Sequence, residues 1–307
     1  MVVVKSCYNT DMTNNRPDDL YNIYTEIFPE YPMPRDVFYT ALKPDSEFTH
    51  TIRAFDSDKT IGKPNEKTIG KPNDKTIGYA LVCGNTITLL CVLSEYRGKG
   101  HGLYLLKEAE NYIIANGYST ITLGFANNYI FQGVPIEYGS VSFFEKYGYS
   151  ADETTTNLGL NLADFDPDKL DIPELPDDIT FRFSTPLDDT DLHEAVEAVD
   201  PTWHRYFTGD PVMLAISNGK IVAFQKIGIH GSRFRSEGEK AGGIGCVGTI
   251  PGKQGLGIGR RMVLEGINWL KEQGCTSIML TYVGIGWYDK LGFKPVSHQW
   301  MGTRRVS

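Results

Sequence analysis

Two short glycine-rich stretches carry residue types that can bind an anion. One reads KQGLGIG at 253–259 and the other reads YRGKGHG at 96–102. In each, glycines recur at alternate positions after a β-rich apolar run and before an amphipathic segment. Glycine lets the backbone approach a ligand closely, and the unpaired amides at a helix start favour phosphate oxygens. The two stretches therefore predict phosphate-binding loops, to which four nearby cations can add charge: Lys99, Lys253, Arg260 and Arg261.

Other phosphate-binding motifs fit these loops poorly. A nucleoside triphosphate loop needs GxxxxGK[ST], and neither stretch ends in Lys-Ser or Lys-Thr. A literal GxGxxG occurs at 243–248, but it lies inside a predicted strand and Pro251 follows before any helix starts. A tight turn that binds nothing remains an alternative for a single loop. It is less favoured for two loops of the same kind.

The loops belong to an internal duplication. An offset of 157 places Gly100 on Gly257 (257 − 100) and also Gly117 on Gly274 (274 − 117). Each copy has a strand, the loop, an amphipathic helix that ends at a glycine, a short strand and an aromatic ending. The endings are FFEKYGY at 143–149 and WYDKLGF at 287–293, where the offset is 288 − 144 = 144. The first copy (76–149) thus carries 157 − 144 = 13 residues more than the second (220–293), within 125–135, and their apolar character predicts burial.

The apolar stripes of the two helices support this assignment. Residues spaced by three or four positions indicate a helix with one buried face. The stripe of the first copy consists of Leu105, Leu106, Ala109 and Ile113, and that of the second consists of Val263, Ile267 and Leu270. Short strands then follow at 120–123 and 277–280.

Composition indicates an ordinary globular protein. The 307 residues, 41% hydrophobic and 22% charged, are enough for two cores. The formal net charge of −8 argues against nucleic-acid binding and mildly favours cationic partners. The N-terminal apolar run is too short for a secretory signal, and no run reaches membrane-spanning length. We therefore expect a cytoplasmic protein, with the nucleus left open.

The cysteines predict neither a disulfide framework nor a metal site. There are five of them, and no C-x-x-C pair occurs. Three lie inside apolar, strand-like runs, which favours small buried side chains in a reducing compartment. No metal is expected.

The duplication sets the expected domain boundaries. An N-terminal domain is predicted at 1–163 and a C-terminal domain at 179–307. Between them, 164–178 reads as an acidic linker with prolines that resist packing. A period-eight repeat, KTIGKPNE and its variants, predicts an expanded surface loop at 58–77.

Together the loop, the helix and the aromatic ending resemble the GNAT superfamily of N-acetyltransferases. The acyl-CoA signature R/Q-x-x-G-x-G/A of that family is matched at 97–102 and 254–259, and its FYEKLGF-like ending is matched twice. The tandem layout is similar to that of the mycothiol synthases. The second copy is also similar to acetyltransferase domains fused to hexosaminidases.

The resemblance implies an α/β (α+β) fold of two tandem acyl-CoA N-acyltransferase domains, each with a mixed sheet whose fourth and fifth strands splay apart. Acetyl-CoA would place its pantetheine arm in that gap and its diphosphate on the glycine loop. The implied strand contacts are Leu90, Cys91 and Val92 in the first copy and Val247, Gly248 and Thr249 in the second. The implied loop contacts are Arg97, Gly98, Lys99, Gly100, His101 and Gly102, and Gln254, Gly255, Leu256, Gly257, Ile258 and Gly259.

The resemblance also implies a catalytic residue. Tyr288 takes the position of the family's tyrosine, on the final helix, where its hydroxyl would protonate the leaving thiolate. The first copy has Phe144 there, which has no proton to give. Three alternatives stay open for that copy: it binds acetyl-CoA without reacting, it shapes the substrate cleft, or it uses another donor among Tyr138, Tyr147 and Tyr149 nearby. Gly248 suits a bulge that frees an amide for the oxyanion, or it makes room for a neighbouring side chain. No general base stands out among the candidates, which are Glu237, His230, Tyr282 and Asp289, and a water chain is equally allowed.

These observations predict an acetyl-CoA-dependent N-acetyltransferase acting on a primary amine. The acceptor class stays open between an amino sugar, a small amine and a peptide or protein lysine. The alternative from another class is an acyl-CoA-binding sensor or scaffold with degenerate catalytic sites, which Phe144 and the missing base favour.

Overall fold

The computed structural model describes residues 17–42, 49–56, 74–126, 129–185, 190–284 and 286–306. They form two compact units. The first unit runs to Gly133 and includes Thr303–Ser307, and the second runs from Val134 to Gly302. Each is an α/β unit whose sheet contains parallel and antiparallel pairs, as the expected fold class requires.

The first unit packs its helices on a five-stranded sheet of order β1-β2-β3-β4-β13. Its helices are α1 (Pro17–Ile27), α2 (Arg35–Leu42) and α3 (His101–Ala115). Its strands are β1 (Thr49–Phe55), β2 (Thr76–Cys83), β3 (Thr86–Val92), β4 (Thr120–Leu123) and β13 (Thr303–Arg305).

The second unit is built on an eight-stranded sheet of order β5-β12-β6-β11-β10-β9-β8-β7. Its strands are β5 (Val134–Pro135), β6 (Thr154–Asn161), β7 (Ile179–Ser184), β8 (Val212–Ser217), β9 (Lys220–Gly228), β10 (Ala241–Thr249), β11 (Ser277–Val283) and β12 (Lys294–Trp300). Its helices are α4 (Val141–Lys146), α5 (Thr190–Val199) and α6 (Ile258–Glu272).

The units do not divide the chain at the boundary expected from the sequence. Strand β6 lies in the predicted N-terminal domain, yet it is hydrogen-bonded between β11 and β12 in the second unit. Strand β13 comes from the predicted C-terminal domain and pairs antiparallel with β4 in the first unit. Each sheet therefore incorporates a strand from the other half of the sequence.

The segment predicted as a linker is packed. Leu170, Ile172 and Leu175 lie against the core of the second unit. The carbonyl of Asp171 accepts a hydrogen bond of 3.1 Å from Nη1 of Arg260 on α6. The expectation that 164–178 resists packing was wrong, because its apolar residues alternate with the charged ones that suggested a linker.

Both amphipathic helices have the predicted faces. Leu105, Leu106, Ala109 and Ile113 of α3 are fully buried, as are Val263, Ile267 and Leu270 of α6. Both helices end before a glycine in the left-handed region, Gly117 (φ 87°) and Gly274 (φ 80°). A side chain there would be strained, which explains why glycine ends both helices.

The insertion of the first copy is buried where the structure describes it. Ile130 is 0% exposed, Phe131 is 3% exposed and Val134 is 8% exposed, as their apolar character predicted. Asn127 and Asn128 lie outside the described residues, as does most of the predicted repeat loop at 58–77. Among the helices that are described, none is long and apolar enough to cross a membrane.

Candidate cofactor and active site

The two glycine loops have the same backbone conformation. Gly98 and Gly255 have φ of 75° and 81°, and Gly100 and Gly257 have φ of 94° and 82°. The second glycine of each pair immediately precedes its helix, α3 or α6. These positive φ angles are available to glycine at little cost. The duplicated spacing therefore encodes one turn that is used twice.

The third glycine of the second loop has a different role. Gly259 lies inside the first turn of α6, where a Cβ would come within 3.4 Å of Thr249 Oγ1 and of the Trp287 ring. Helix α6 thus starts in close contact with the end of β10 and with the segment after β11. The first amides of a helix have no partner inside the helix, so the start of α6 can accept an anion.

The first residue of each motif fastens its loop to the preceding strand. Arg97 Nε donates to the Val92 carbonyl at 2.9 Å, and Gln254 Nε2 donates to the Thr249 carbonyl at 3.3 Å. Both pairs are five residues apart and are related by the same offset of 157. The expected ligand contacts Arg97 and Gln254 therefore also shape the loop itself.

In each unit the strand before the loop runs on beyond its pairing with the parallel neighbour. Strand β10 pairs with β11 over Ala241–Gly243, and both strands then continue, to Thr249 and Val283, so a gap opens between them. Strand β3 pairs with β4 at Thr86 and Ile87 and continues to Val92, whereas β4 ends at Leu123, where the pairing ends. The implied strand contacts at 90–92 and 247–249 lie beyond these paired residues.

A β-bulge interrupts β10 within this gap. Pairing with β9 passes from Gly245↔Lys226 to Gly248↔Phe224, so Cys246 and Val247 face a single residue of β9. Cys246 has φ 46°, an uncommon angle for a non-glycine residue and one that strains the backbone. The bulge precedes Gly248, which is itself paired. Gly248 makes room instead, because a Cβ there would overlap the Phe224 ring.

Tyr288 lies near this bulge. It starts a 3-10 turn, Tyr288–Leu291, and not the regular helix expected from the sequence. Its ring packs edge-on against Trp287, with centroids 4.5 Å apart. Burial raises the pKa of Tyr288 to about 12, and Cys246 adds to the rise. The hydroxyl is therefore protonated throughout the neutral range.

Two charged residues that the sequence did not single out act on the same bulge. Burial raises the pKa of the Cys246 thiol to about 11, the Lys226 ammonium opposes the rise and the Asp200 carboxylate adds to it. Hydrogen bonds from the Thr202 hydroxyl and amide lower the pKa of Asp200. Asp200 is thus a stable negative charge close to the bulge. The Asp-Pro-Thr sequence predicts a cap there, and nothing in it predicts proximity to β10.

The first copy differs at the corresponding positions. Leu90, Cys91 and Val92 all pair with β2, and the irregularity in β3 falls earlier, at Thr88. Phe144 is 6% exposed on α4, which belongs to the second unit. The glycine loop of the first copy and its aromatic ending are therefore parts of different compact units.

His101 and Lys99 belong to the first loop, where His101 is buried and Lys99 is exposed. His101 is 7% exposed, and its Nδ1 has no hydrogen-bond partner among the described residues. The Lys99 ammonium lies 5.3 Å from the centre of the Tyr96 ring. A buried ring nitrogen without a partner at the start of α3 suits a polar ligand.

The remaining candidates are the loop cation Arg261 and the four residues considered as a general base. Arg261 pairs with Glu265 at 2.8 Å, along one face of α6. Of the base candidates, Glu237, His230 and Asp289 are exposed. Tyr282 has φ 58° at an irregularity in β11, and its hydroxyl lies 3.5 Å from Glu153 Oε1. Burial, followed by Glu153, raises the pKa of Tyr282, so this residue is a poor base.

Comparison with known proteins identifies the two copies. The family model described as "Acetyltransferase (GNAT) family" matches residues 174–293, and the one described as "Acetyltransferase (GNAT) domain" matches 46–159. A mycothiol acetyltransferase of Saccharomonospora viridis is 25% identical over 237 residues, covering 69% of this chain and 72% of that protein. One of Amycolatopsis mediterranei is 29% identical over 144 residues, covering 39% and 48%. The match thus spans about half the length of the latter.

Solved structures share the fold. A GCN5-related glucosamine N-acetyltransferase region of a fungal multi-domain GH3 β-N-acetylglucosaminidase has a TM-score of 0.72 at 22% identity, covering 95% of this chain and 37% of that one. A tandem GNAT protein from the clavulanic acid biosynthesis pathway has a TM-score of 0.68 at 13% identity, covering 97% and 96%. The chain belongs to the GNAT family of acetyltransferases and carries two domains of that family in tandem.

Proposed function

We propose that this protein is an acetyl-CoA-dependent N-acetyltransferase that acetylates a primary amine, and that its second copy is the catalytic one. One observation carries the proposal. Within a single compact unit, the second copy combines the glycine loop, the bulge at Cys246 and the protonated hydroxyl of Tyr288. The first copy has Phe144 in place of the tyrosine.

The residues present fit the cofactor. A Cβ added to Gly98 or Gly255 would meet no atom within 4 Å, so each loop leaves open space beside a bare backbone. Backbone amides at 255–259 would hold the diphosphate and the edge of β10 at 247–249 would hold the pantetheine arm. The corresponding residues of the first copy, 98–102 and 90–92, would hold a second molecule without turnover. Bound acetyl-CoA supplies the thioester whose acetyl group is transferred.

The chain's own residues support the transfer chemistry. A backbone amide at the bulge of β10 is available for the developing oxyanion. Tyr288 would donate a proton to the leaving sulfur, since its pKa of about 12 keeps it neutral, and the proton that the attacking amine releases would restore its hydroxyl. At Cys246 the Lys226 ammonium acts more strongly than the Asp200 carboxylate, so these two charges do not select a cationic acceptor.

The acceptor is proposed by class. Mycothiol acetyltransferases are among the relatives, and a glucosamine N-acetyltransferase region shares the fold. An amino sugar is therefore the first acceptor to test, followed by a short aliphatic amine and a lysine-containing peptide. Acetylation of the peptide but of neither small amine would assign the protein acetyltransferase class.

Two measurements test the proposal. Calorimetry with acetyl-CoA and with CoA counts the binding sites, and a thiol-release assay over the amine panel detects turnover. We expect micromolar binding and thiol release that depends on the amine. Binding without release for any amine would support the acyl-CoA sensor instead, and no binding at millimolar cofactor would refute both functions.

A further inference from the structure

Gln225 is a fully buried polar residue of β9 that faces the bulge in β10. It stands between Lys226 and Phe224, the two residues of β9 that pair on either side of the bulge. Its side chain is 0% exposed. Nε2 donates to the Met262 carbonyl at 2.8 Å and approaches Met213 Sδ at 3.3 Å, while Oε1 has no partner among the described residues.

This amide connects the sheet to the first turns of α6. Met262 lies four residues after Ile258, where the helix begins. Its carbonyl also accepts the amide of residue 266 within the helix, so the bond from Gln225 is an additional one. Residue 266 is a glycine, and a Cβ there would overlap Nε2 of Gln225. The absence of that Cβ lets the buried amide fit under the helix.

Stability alone does not account for Gln225. An unpartnered buried Oε1 costs free energy, whereas an apolar side chain of the same size would cost none. The first copy has an apolar residue at the position that corresponds to Gln225. Tyr79 pairs with Cys91 as Phe224 pairs with Gly248, so an offset of 224 − 79 = 145 places Ala80 at the position of Gln225.

The helix changes together with the strand. The helix offset of 157 places Ala109 at the position of Gly266. Both Ala80 and Ala109 are completely buried. The first copy thus uses two alanines where the second uses a glutamine and a glycine, and only the second copy has Tyr288 at the aromatic ending.

We propose that Gln225 is a positioning residue for the reaction of the second copy, which rests on the proposed function. It fastens the start of α6 to the strand that faces the bulge. The glycine loop, which would hold the diphosphate, and the bulged strand, which would hold the thioester, are thereby kept at a fixed separation. Without the bond, α6 keeps its apolar packing and the Arg260 bond to the Asp171 carbonyl but loses its side-chain hydrogen bond to β9, and that separation varies.

The test compares Gln225→Met with Gln299→Met. Gln299 on β12 is also 0% exposed with an unpartnered Oε1, and its Nε2 donates to Ser297 Oγ at 3.2 Å, with no bond to α6. Both substitutions keep the side-chain volume and remove an amide. We expect similar melting temperatures for the two variants. In calorimetry with acetyl-CoA, only Gln225→Met weakens one site, by about tenfold.

A second readout separates this inference from the proposed function. Hydrogen exchange of the amides at 262–266, which are bonded within the helix, should be faster in Gln225→Met than in the wild type or in Gln299→Met. If wild-type protein does not bind acetyl-CoA, the proposed function fails and exchange alone decides whether the bond fixes the helix. Unchanged exchange, or equal loss of affinity in both variants, overturns the inference.

The double variant Gln225→Ala, Gly266→Ala is a control for the case in which Gln225→Met misfolds. It reproduces the alanine pair of the first copy, so we expect it to fold with a melting temperature close to that of the wild type. Its affinity for acetyl-CoA at the second site should remain about tenfold lower. Full recovery of affinity in this variant would show that packing, and not the amide bond, sets the position of α6.

Discussion

Replacing Tyr288 with phenylalanine removes the hydroxyl that is proposed to protonate the leaving sulfur beside the bulge. The ring would stay in place, because it is held by Trp287 at 4.5 Å and Phe293 at 5.9 Å between ring centroids. A lost hydroxyl at this half-buried site should change the free energy of unfolding by less than about 1 kcal/mol. Any large effect on turnover would therefore report chemistry and not folding.

The size of the effect follows from the pKa. At pH 7.5 a group with a pKa of about 12 is neutral in all but about one molecule in 30,000, so the donor is always present. It is, however, a weak acid towards a thiolate whose parent thiol titrates near ~8.5. General-acid catalysis spans about 10²–10⁴, and this mismatch places Tyr288 at the lower end. We expect kcat to fall by about 10², equal to about 2.7 kcal/mol of activation free energy.

The assay is thiol release at saturating acetyl-CoA and acceptor. Affinity for acetyl-CoA and the melting temperature are measured on the same variant, and both should match the wild type. Phe144→Tyr in the other copy is a control for a new hydroxyl and should not raise turnover. If kcat is unchanged in the Tyr288 variant, the hydroxyl takes no part and the assignment of the second copy as catalytic loses its basis.

Three further outcomes are expected. Turnover should rise with pH as the acceptor amine loses its proton. Because the neutral form of Tyr288 is the active one, turnover should not fall again below about pH 11. An alkaline decline near pH 9 would contradict the raised pKa of Tyr288. Gly255→Val forces a branched side chain to φ 81° at the loop, where a Cβ meets no atom, and should abolish acetyl-CoA binding at one site. Gly274→Val is equally strained at φ 80° but lies at the far end of α6, so it should only destabilise the fold, and equal binding loss in both variants would refute the loop assignment. Arg304→Met removes the partner that β13 supplies to the buried Glu110 carboxylate. The free energy of unfolding, measured by urea titration, should fall by about 1–3 kcal/mol. An unchanged urea midpoint would show that the pair does not hold β13 in place.

The local parts of the site could be predicted from the sequence. Glycines at alternate positions predicted two turns, and the structure gives both turns the same φ angles. Apolar spacing predicted the buried faces of α3 and α6, because helix periodicity is a local property. The cofactor contacts and the role of Tyr288 remain predictions.

The non-local parts could not be predicted. For Gly248 the sequence allowed either a bulge or room for a neighbouring side chain; the bulge lies at Cys246 and Val247 and Gly248 makes room for Phe224, because strand register depends on the partner strand β9. The sequence did not predict a role for Asp200 or Gln225, because each acts on a segment distant in sequence. Asp200 acts on the bulge in β10, and Gln225 bonds to α6. The domain boundary failed for the same reason, since nothing within residues 154–161 specifies that they pair with β11 and β12.

The exchange of strands keeps the two halves of the sequence dependent on each other even where the residues of the two copies differ. Strand β6 occupies an interior position of the second sheet, so removing it would expose two strand edges, those of β11 and β12. Strand β13 in turn extends the first sheet beyond β4, where Arg304 pairs with the buried Glu110. Each half therefore depends on the other for its sheet. The first copy has Phe144 where the second has Tyr288, and strand β6 from its half of the sequence still completes the second sheet, which gives a physical reason for keeping that half that does not depend on catalysis.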